Sequence, residues 1–595
     1  MTNLVDWTID LQAAGRARVD ALWFAPRLSM WPLAARECLV RNPLNGATAR
    51  LDADTHAFLE SCTGAATLST HEARVIERLR VPPADRPRIR AALQRLCALH
   101  LLVLVDDLVD RFGPPVAEDA ASALVVVRTA DRPALLERLL KSAEAPPDTT
   151  GAKRAWHVVD DSRTPEMRAA NRAVLDRHAP LQCELHDAKV LVAFGAQLSA
   201  AFPDACREID WLLGGGDIAG ATYGRPVNYA LLRFAGERLL ALDDDAILDA
   251  RRAPVAGSGV AVASGNDELF AYASDDDLAA ACASVNLDPL AEHERWLGLP
   301  LANAWPLAAR THGTPEYAID SGDARHFAAD ARIAFTQNHA VGDPGSALFP
   351  FHVLNLPPAS RAHVAAAPLR EAAAFGDRHA WRGVPRFRLA PRRLLTFTTL
   401  AGIDNRRLLP PTAPAHRNED LLLGAMAQLL YPASWFADLP FGLPHRRAAP
   451  KRWLGPDVTF AQEPLHVLLD LIDADQRGAA SHADEPEARL QAIAARLADV
   501  GRSNERTVRD LLEAQAIDTA SRVLFGIQTQ LDDASVPASW KARLQPWLAS
   551  PALAVEGPAL AARLAPVVVV QRLARDYAAA LAVWPALWQH ATRRA

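Results

Sequence analysis

Three consecutive aspartates, Asp243 to Asp245, directly follow an apolar run over residues 239–242. Three carboxylates at the end of a buried strand repel one another unless a cation or hydrogen-bond donors offset their charge. Hard oxygen ligands of this kind suit Mg²⁺ or Mn²⁺ bound together with a substrate diphosphate. The alternative is a polar exit from strand to loop without a bound ion. A second triplet, 275–277, follows Ser274 and precedes an apolar segment, which favours the acidic first turn of a helix and a structural role.

The elements that must position the first triplet alternate between strand and helix. Apolar runs predict strands at 123–127, 156–159, 190–194 and 238–242, with helices at 132–141 and 165–177. Strands separated by helices pair in parallel, so the pattern predicts a Rossmann-like half-sheet in an α/β fold. Ligands bind beyond the carboxyl ends of such strands, where residues 128–132 and 160–162 join the triplet. No GxGxxG follows the first strand and no GxxxxGK[ST] occurs, which disfavours dinucleotide enzymes and P-loop phosphotransferases.

Three segments in succession resemble the signatures of family-2-like glycosyltransferases with the GT-A fold. They are LVVVRTADRPALLERLLK (124–141), VVDDS (158–162) and GRPVNYALLRFAGERLLALDDD (224–245). The resemblance implies a nucleotide-sugar donor, most simply a UDP-sugar, and a Mn²⁺ or Mg²⁺ cofactor.

The resemblance also assigns roles to single residues. It implies that Thr129, Arg132 and Asn228 border the nucleotide and that Asp160 binds the base. Asp243 would meet the ribose or a metal-bound water, and Asp245 would bind the metal. The residues themselves leave alternatives open: Asp160 as a loop cap beside Ser162, and Thr129 and Arg132 as residues of a helix start.

The segment 417–421 resembles the Glu-Asp acceptor motif of the same family, at the start of a predicted helix over 421–430. The resemblance implies that Asp420 is the base that deprotonates the acceptor and that Glu419 orients it. An acidic helix start is the alternative.

Histidines downstream and upstream of this motif complete the expected site. The resemblance implies that His445 is the last metal ligand beside Asp243 and Asp245, although a lone histidine in a Pro/Arg-rich loop is also typical of a surface. A strand at 335–339 with a turn at 342–345 makes His339 and Asp343 candidates to border the sugar pocket, and turn formation is the simpler explanation of Asp343.

The first 116 residues predict a small winged-helix-like α+β domain. Strands at 37–41 and 47–51 flank Asn45-Gly46, and helices follow at 54–62, 69–79 and 87–99, with Ser69 and Thr70 as candidate caps. Residues 42–51, with Ala57-Phe58-Leu59 and Gly64, resemble the precursor-peptide recognition domains similar to the small chaperone of pyrroloquinoline quinone biosynthesis.

That resemblance implies that a leader peptide adds as a strand to a sheet edge, where it would contact Leu39, Val40, Arg41 and Arg50. A supporting domain without a ligand is the alternative. Residues 1–116 contain 14 arginines and 13 acidic residues, which is not the marked basic excess of a DNA-binding domain. DNA binding is therefore disfavoured.

The whole chain sets further limits. It has 595 residues and a net charge of −6, which argues against nucleic acid or anionic lipid as a partner. Six cysteines without a CxxC pair favour neither a zinc cage nor a disulfide framework, and together with the absence of a visible signal segment they predict a cytoplasmic protein. The apolar run at 565–570 is far shorter than the ~20 residues of a membrane span.

We therefore expect three domains: peptide recognition (1–116), a GT-A glycosyltransferase core (117–456) and a helical region (457–595) whose Trp584 and Trp588 are core residues. The expected function is metal-dependent sugar transfer, by inversion, to a ribosomally made peptide. A saccharide or small-molecule acceptor, or a leader-binding scaffold without activity, are the alternatives.

Overall fold

The computed structural model describes residues 20–33, 37–117, 122–144, 154–214, 222–343, 351–375, 379–396, 399–446, 456, 461–476 and 485–593. It is a mixed α/β structure, as predicted. The predicted boundary at 456/457 and the end of the predicted turn at 342–345 fall partly outside these residues.

The N-terminal module joins a three-stranded antiparallel sheet and a two-stranded pair to four α-helices. Its elements are β1 (Trp23–Phe24), β2 (Ser29–Leu33), β3 (Glu37–Arg41), β4 (Thr48–Asp52), α1 (Ala53–Ser61), α2 (Leu68–Leu79), α3 (Arg86–Ala98), β5 (Val103–Leu104) and α4 (Val105–Val109). The sheet order is β2-β3-β4, and β1 pairs with β5. Gly46, at φ +76°, supports the predicted turn between β3 and β4.

The cap predicted for the second helix is wrong by two to three residues. The Oγ1 of Thr67 accepts a hydrogen bond from the backbone N–H of Thr70, and Thr67 has extended backbone angles. An N-cap needs those angles, whereas Ser69 and Thr70 already lie within α2.

The central half-sheet follows, and its strands alternate with helices as predicted. Its elements are β6 (Leu124–Thr129), α5 (Pro133–Glu144), β7 (Trp156–Asp160), α6 (Pro165–Arg177), β8 (Glu184–His186), α7 (Ala188–Ala201), α8 (Cys206–Ile209), α9 (Gly224–Arg233) and β9 (Arg238–Asp243). The four strands pair in parallel in the order β8-β7-β6-β9.

The predicted strand at 190–194 is wrong, because these residues belong to α7. The Oδ1 of Asp187 accepts hydrogen bonds from the N–H groups of Lys189 and Val190 and so begins a helix there. Val192 is 71% exposed, so the apolar run is not a buried strand. The third strand is the short β8, just before the cap.

The sheet continues past β9. The next elements are β10 (Arg251–Arg252), β11 (Val260–Ala263), β12 (Glu268–Ala271), α10 (Asp275–Ala281), α11 (Pro289–Trp296), α12 (Leu301–His312), β13 (Pro315–Ala318), β14 (Arg332–Gly342), α13 (Pro358–Ala365), α14 (Pro368–Phe375), β15 (Ala380–Gly383), β16 (Arg388–Ala390), β17 (Leu400–Asp404), α15 (Glu419–Leu430) and β18 (Ser434–His445). The main path of the sheet is β13-β11-β16-β18-β14-β17-β9-β6-β7-β8. The second aspartate triplet begins α10 under a Ser274 cap, as predicted.

The C-terminal region is helical, as predicted. It comprises α16 (Pro464–Gln476), α17 (Pro486–Arg502), α18 (Glu505–Asp532), α19 (Ala538–Leu544), α20 (Gly557–Arg563) and α21 (Val567–Thr592). Trp584 and Trp588 are buried in a cluster that also contains Val126 of β6 and Val159 of β7. Val125 and Val127 point to a second cluster on the opposite face, because successive side chains of a strand alternate between faces. No helix in the described ranges combines the length and apolar character that a membrane crossing requires.

Candidate active site at the carboxyl ends of the central strands

The order of the central strands fixes where a ligand could bind. The chain runs from β6 outward through β7 and β8 and then returns to place β9 on the other side of β6. Ligands of open α/β sheets bind at such a switch point, beyond the carboxyl ends of the strands. Arg128 lies opposite Asp243 in this register, and Thr129 lies opposite Asp160. Three of the polar strand ends predicted from sequence therefore meet.

The middle aspartate, Asp244, is held by two of the three residues predicted to border a nucleotide. The Oγ1 of Thr129 donates to Asp244 Oδ2 at 2.8 Å, and Arg132 Nη1 lies 3.1 Å from Asp244 Oδ1. Arg132 also lies 3.6 Å from Asp245 Oδ2 and keeps a half-exposed side chain. Burial raises the pKa of Asp244 to about 7, although the Arg132 charge and the Thr129 hydrogen bond oppose the rise.

Arg128, which was not predicted as a site residue, joins both acidic groups of the site. Its guanidinium forms an ion pair with Asp243 and lies 3.2 Å from Glu419 Oε1. Burial and the Asp245 charge raise the pKa of Asp243, and Arg128 opposes them. Burial and the Asp420 charge raise the pKa of Glu419 to about 7. The sequence signal that could have identified Arg128 is its position at the start of the polar segment 128–132, directly after the first predicted strand.

Asp245 and His445 are far apart in the sequence and lie side by side in the fold. His445 Nε2 lies 3.2 Å from Asp245 Oδ1, and both residues are buried. The prediction of a loop at His445 is wrong, because His445 is the last residue of β18 and forms an antiparallel bridge with Ala246. That bridge places the histidine opposite Ala246, the residue that directly follows Asp245.

The orientation of His445 fits a metal ligand. Its Nδ1 donates to the backbone carbonyl of Asp343, and a carbonyl can only accept. Metal-binding histidines characteristically fix their second nitrogen in this way. Nε2 therefore faces the carboxylate of Asp245, an arrangement that suits a cation between them or a charged imidazolium.

Asp243 does not complete a three-residue metal set. Within the described ranges, the one group of three His, Cys, Asp or Glu residues with ligand atoms within 4.8 Å of one another is His157, Glu184 and His186. Asp245 and His445 fit two direct ligands of Mn²⁺ or Mg²⁺, which commonly take one or two protein ligands together with phosphate oxygens and water. Asp243 is held by Arg128 instead.

Asp160 has the geometry of the alternative, a loop cap. Its Oδ1 accepts hydrogen bonds from Ser162 N at 2.9 Å and from Asn171 Nδ2 at 3.0 Å. The neighbouring Asp161 forms an ion pair with Arg225. The polar turn after β7 is therefore fixed by internal partners.

Asn228 and His339 lie in buried structural contacts. The Asn228 side chain donates to the Thr412 carbonyl at 2.9 Å and accepts from the Thr412 N–H at 2.8 Å. This pairing ties α9 to the segment before Glu419. His339 is buried, and its Nε2 accepts a hydrogen bond from Val384 N at 3.2 Å.

The predicted peptide contacts lie on strands of the N-terminal sheet, but β3 has no open edge. It pairs with β2 on one side and β4 on the other. Leu39 is partly buried and Val40 fully buried, whereas Arg41 is exposed and Arg50 of β4 forms an ion pair with Glu37. The outer strands of this sheet are β2 and β4, and β2 was missed because Pro32 and the lack of polar alternation obscure it.

The comparisons with known proteins add no assignment. No protein-family model matches the chain, and the search of curated proteins finds no significant match.

Proposed function

We propose that the protein is a metal-dependent glycosyltransferase that uses a nucleotide-sugar donor. One observation carries the proposal: Asp243, Asp245, His445 and Glu419 converge with Arg128 and Arg132 at the switch point of the central sheet. Acidic groups, a histidine and two arginines at this position suit a cation and the diphosphate of a donor. The likeness of the three sequence segments to GT-A glycosyltransferases supports the same conclusion.

In this proposal Asp245 and His445 hold the cation, and Asp343 orients His445 through its carbonyl. The bound Mn²⁺ or Mg²⁺ supplies Lewis-acid stabilisation of the departing nucleoside diphosphate. Arg132, half-exposed beside Asp245, places a second positive charge where phosphate oxygens would lie.

The acceptor side of the site is the start of α15. Asp420 is the proposed base that takes the proton of an acceptor hydroxyl or thiol as the acceptor atom bonds to the anomeric carbon and the diphosphate leaves. Glu419 orients the acceptor, and Arg128 fixes Glu419 against Asp243. A carboxyl whose pKa lies near 7, such as Glu419, is also suited to proton transfer at neutral pH.

Donor turnover tests this proposal. We expect UDP release from a UDP-sugar to require Mn²⁺ or Mg²⁺ and to fall at least about 100-fold in Asp420→Asn, the usual contribution of a general base. The control is Asp276→Asn, an exposed aspartate of the second triplet. If a panel of nucleotide sugars with and without a peptide acceptor gives no turnover, the chain is not a glycosyltransferase.

The proposed acceptor is a ribosomally made peptide that binds the N-terminal sheet through its leader. The supporting observation is the outer strand β2, on which Met30, Trp31 and Leu33 are 50%, 48% and 43% exposed. A strand that is paired on one edge only within the described residues, and that carries exposed apolar side chains, suits strand addition by an extended peptide.

Fluorescence anisotropy with a labelled peptide encoded beside the gene tests the acceptor. We expect Trp31→Ala to weaken binding at least tenfold, whereas Phe525→Ala, a 77% exposed aromatic on α18, leaves it unchanged. Turnover without peptide binding would favour a saccharide or small-molecule acceptor. Peptide binding without turnover would favour a leader-binding scaffold.

A further inference from the structure

Two histidines and a glutamate meet on β7 and β8, apart from the candidate active site. His157 lies opposite Glu184 in the parallel register, and His186 follows two residues later on β8. The two histidines share the face of the sheet that α9 covers, where Phe234 packs against His157 with ring centroids 4.5 Å apart. None of the three residues takes part in the contacts of the active site described above.

The distances between their ligand atoms match one ion. His157 Nδ1 lies 3.0 Å from His186 Nε2 and 3.3 Å from Glu184 Oε2, and His186 Nε2 lies 3.7 Å from Glu184 Oε1. Four ligands at about 2.0–2.1 Å in a tetrahedron are separated by about 3.3–3.4 Å. The two ring nitrogens and the nearest carboxylate oxygen of each are therefore within tenths of an ångström of the separations in a tetrahedral site.

A further contact fixes one of the two rings. The Tyr229 hydroxyl lies 2.8 Å from His186 Nδ1, so Nε2 of the same ring is directed to His157 and Glu184. Metal-binding histidines use their second nitrogen for such an orienting hydrogen bond. His186 is 1% exposed and His157 is 9% exposed, whereas the Glu184 side chain is 55% exposed and leaves an open side for a fourth ligand.

The charges around the cluster allow a cation. Burial lowers the pKa of His157 and lowers that of His186 to about 4, which favours the neutral rings whose lone pairs bind metals. The Arg233 charge disfavours a further positive charge near the histidines, and the Glu184 charge counteracts it. A carboxylate ligand is therefore needed for this site to hold a divalent ion.

We propose that His157, Glu184 and His186 bind Zn²⁺, with water as the fourth ligand. Two imidazole nitrogens and one carboxylate form a ligand set that zinc accepts, whereas Mg²⁺ and Ca²⁺ prefer oxygen. The ion joins β8, the last strand on the path of the sheet, to its neighbour β7, and Tyr229 extends the link to α9. The site does not depend on the proposed glycosyltransferase activity.

A titration tests the site in untagged full-length protein that has been stripped with a chelator. The protein carries Asp245→Asn, so that the Asp245–His445 pair of the candidate active site does not compete for zinc. We expect one equivalent of Zn²⁺ to bind in the presence of excess Mg²⁺, measured by calorimetry. Co²⁺ in place of zinc should give the intense visible bands of a four-coordinate ion.

Two variants locate the ion. Glu184→Gln, at a side chain that is more than half exposed, and His186→Gln should each weaken Zn²⁺ binding at least about tenfold. Glu77→Gln, an exposed glutamate on α2, should bind as before. Circular dichroism identifies a variant that fails to fold, and Glu184→Gln alone then decides the test.

Three results would overturn the site: no stoichiometric uptake, unchanged affinity in a folded Glu184→Gln variant, or a thiolate-to-cobalt absorption that places the ion on cysteine. In the first case the two histidines are simply a hydrogen-bonded pair. UDP-sugar turnover by the same protein is scored separately, so failure of the zinc site leaves the proposed function untouched.

Discussion

At the scale of single residues, the candidate site is a set of buried and partly buried acids paired with two arginines. Asp244 is 2% exposed and depends on Arg132 and Thr129 for its partners. Asp243 and Glu419 share Arg128. Ionising each acid in this setting costs free energy. The stability of the folded protein should therefore depend on pH and on the presence of each partner.

Asp244 predicts a pH dependence of stability. Its folded pKa, raised to about 7, lies above the usual aspartate value, so the folded protein keeps a proton that the unfolded chain has released. The free energy of unfolding therefore falls as the pH rises between about 4 and about 7. Asp244→Asn has no such ionisation, so its free energy of unfolding should not fall in this way. In urea denaturation without divalent cations, the free energy of unfolding of the variant, relative to the unaltered protein, should rise by up to about 4 kcal/mol across that pH range.

Asp276→Asn is the control, since its carboxyl is exposed on α10. A difference between Asp244→Asn and the unaltered protein that stays constant with pH would show that Asp244 ionises normally in the folded state.

Arg128→Gln should destabilise the protein strongly. It leaves Asp243 and Glu419 without their shared cation, and breaking a buried ion pair costs about 3–5 kcal/mol, somewhat less at this partly exposed site. Arg522→Gln breaks an exposed pair with Asp518 and should cost below about 1 kcal/mol. Equal unfolding midpoints in urea for the two variants would contradict the role of Arg128.

At the scale of elements, the sequence predicts strands better than it predicts how they are brought together. The buried apolar runs of β6, β7 and β9 were identifiable because helices separate them. The apolar run at 190–194 predicts a strand because buried strands and helices share apolar composition. The run is helical because the Asp187 side chain caps a helix that begins just before it. The approach of His445 to Asp245 depends on the pairing of β18 with the residues after β9, which no local pattern encodes.

Gly342→Ala tests how the end of β14 supports His445. Gly342 has φ +116°, and a Cβ there would lie 2.7 Å from the His445 carbonyl oxygen. The substitution strains the backbone and displaces His445, so we expect Mn²⁺ affinity to fall at least about tenfold by analogy with other losses of ligand support.

Gly195→Ala is the matched change, because a Cβ at Gly195 in α7 meets nothing within 4 Å. It should raise the free energy of unfolding by about 0.5–1 kcal/mol and leave Mn²⁺ affinity unchanged. Destabilisation by Gly195→Ala would contradict the helical assignment of this segment, and unaltered Mn²⁺ binding in Gly342→Ala would contradict the support of His445.

At the scale of the whole molecule, the C-terminal helices and the central sheet share one core. Trp584 Nε1 of α21 donates to the Leu409 carbonyl at 2.6 Å, and the Tyr577 hydroxyl donates to the Pro411 carbonyl at 2.8 Å. The segment they hold leads into Glu419 at the start of α15. The last long helix therefore supports the Glu419 side of the candidate site, a contact that the sequence did not indicate.

Replacing a buried and an exposed tryptophan by alanine should change the stability of the protein by very different amounts. Trp584 is fully buried, so Trp584→Ala should cost about 3–5 kcal/mol of unfolding free energy. Trp31 is 48% exposed on β2, so Trp31→Ala should stay within about 0.5 kcal/mol. Urea denaturation compares them, and a small cost at Trp584 would mean that α21 is not part of the core.

The most direct test of the account is calorimetric binding of UDP with and without Mn²⁺. We predict that UDP binds the unaltered protein and Asp276→Asn tightly only when Mn²⁺ is present, and that Asp245→Asn, which removes one charge of the Asp245–His445 pair, loses at least about tenfold of that affinity. UDP affinity that is the same with and without Mn²⁺, or the same in Asp245→Asn as in the unaltered protein, would contradict the proposed site.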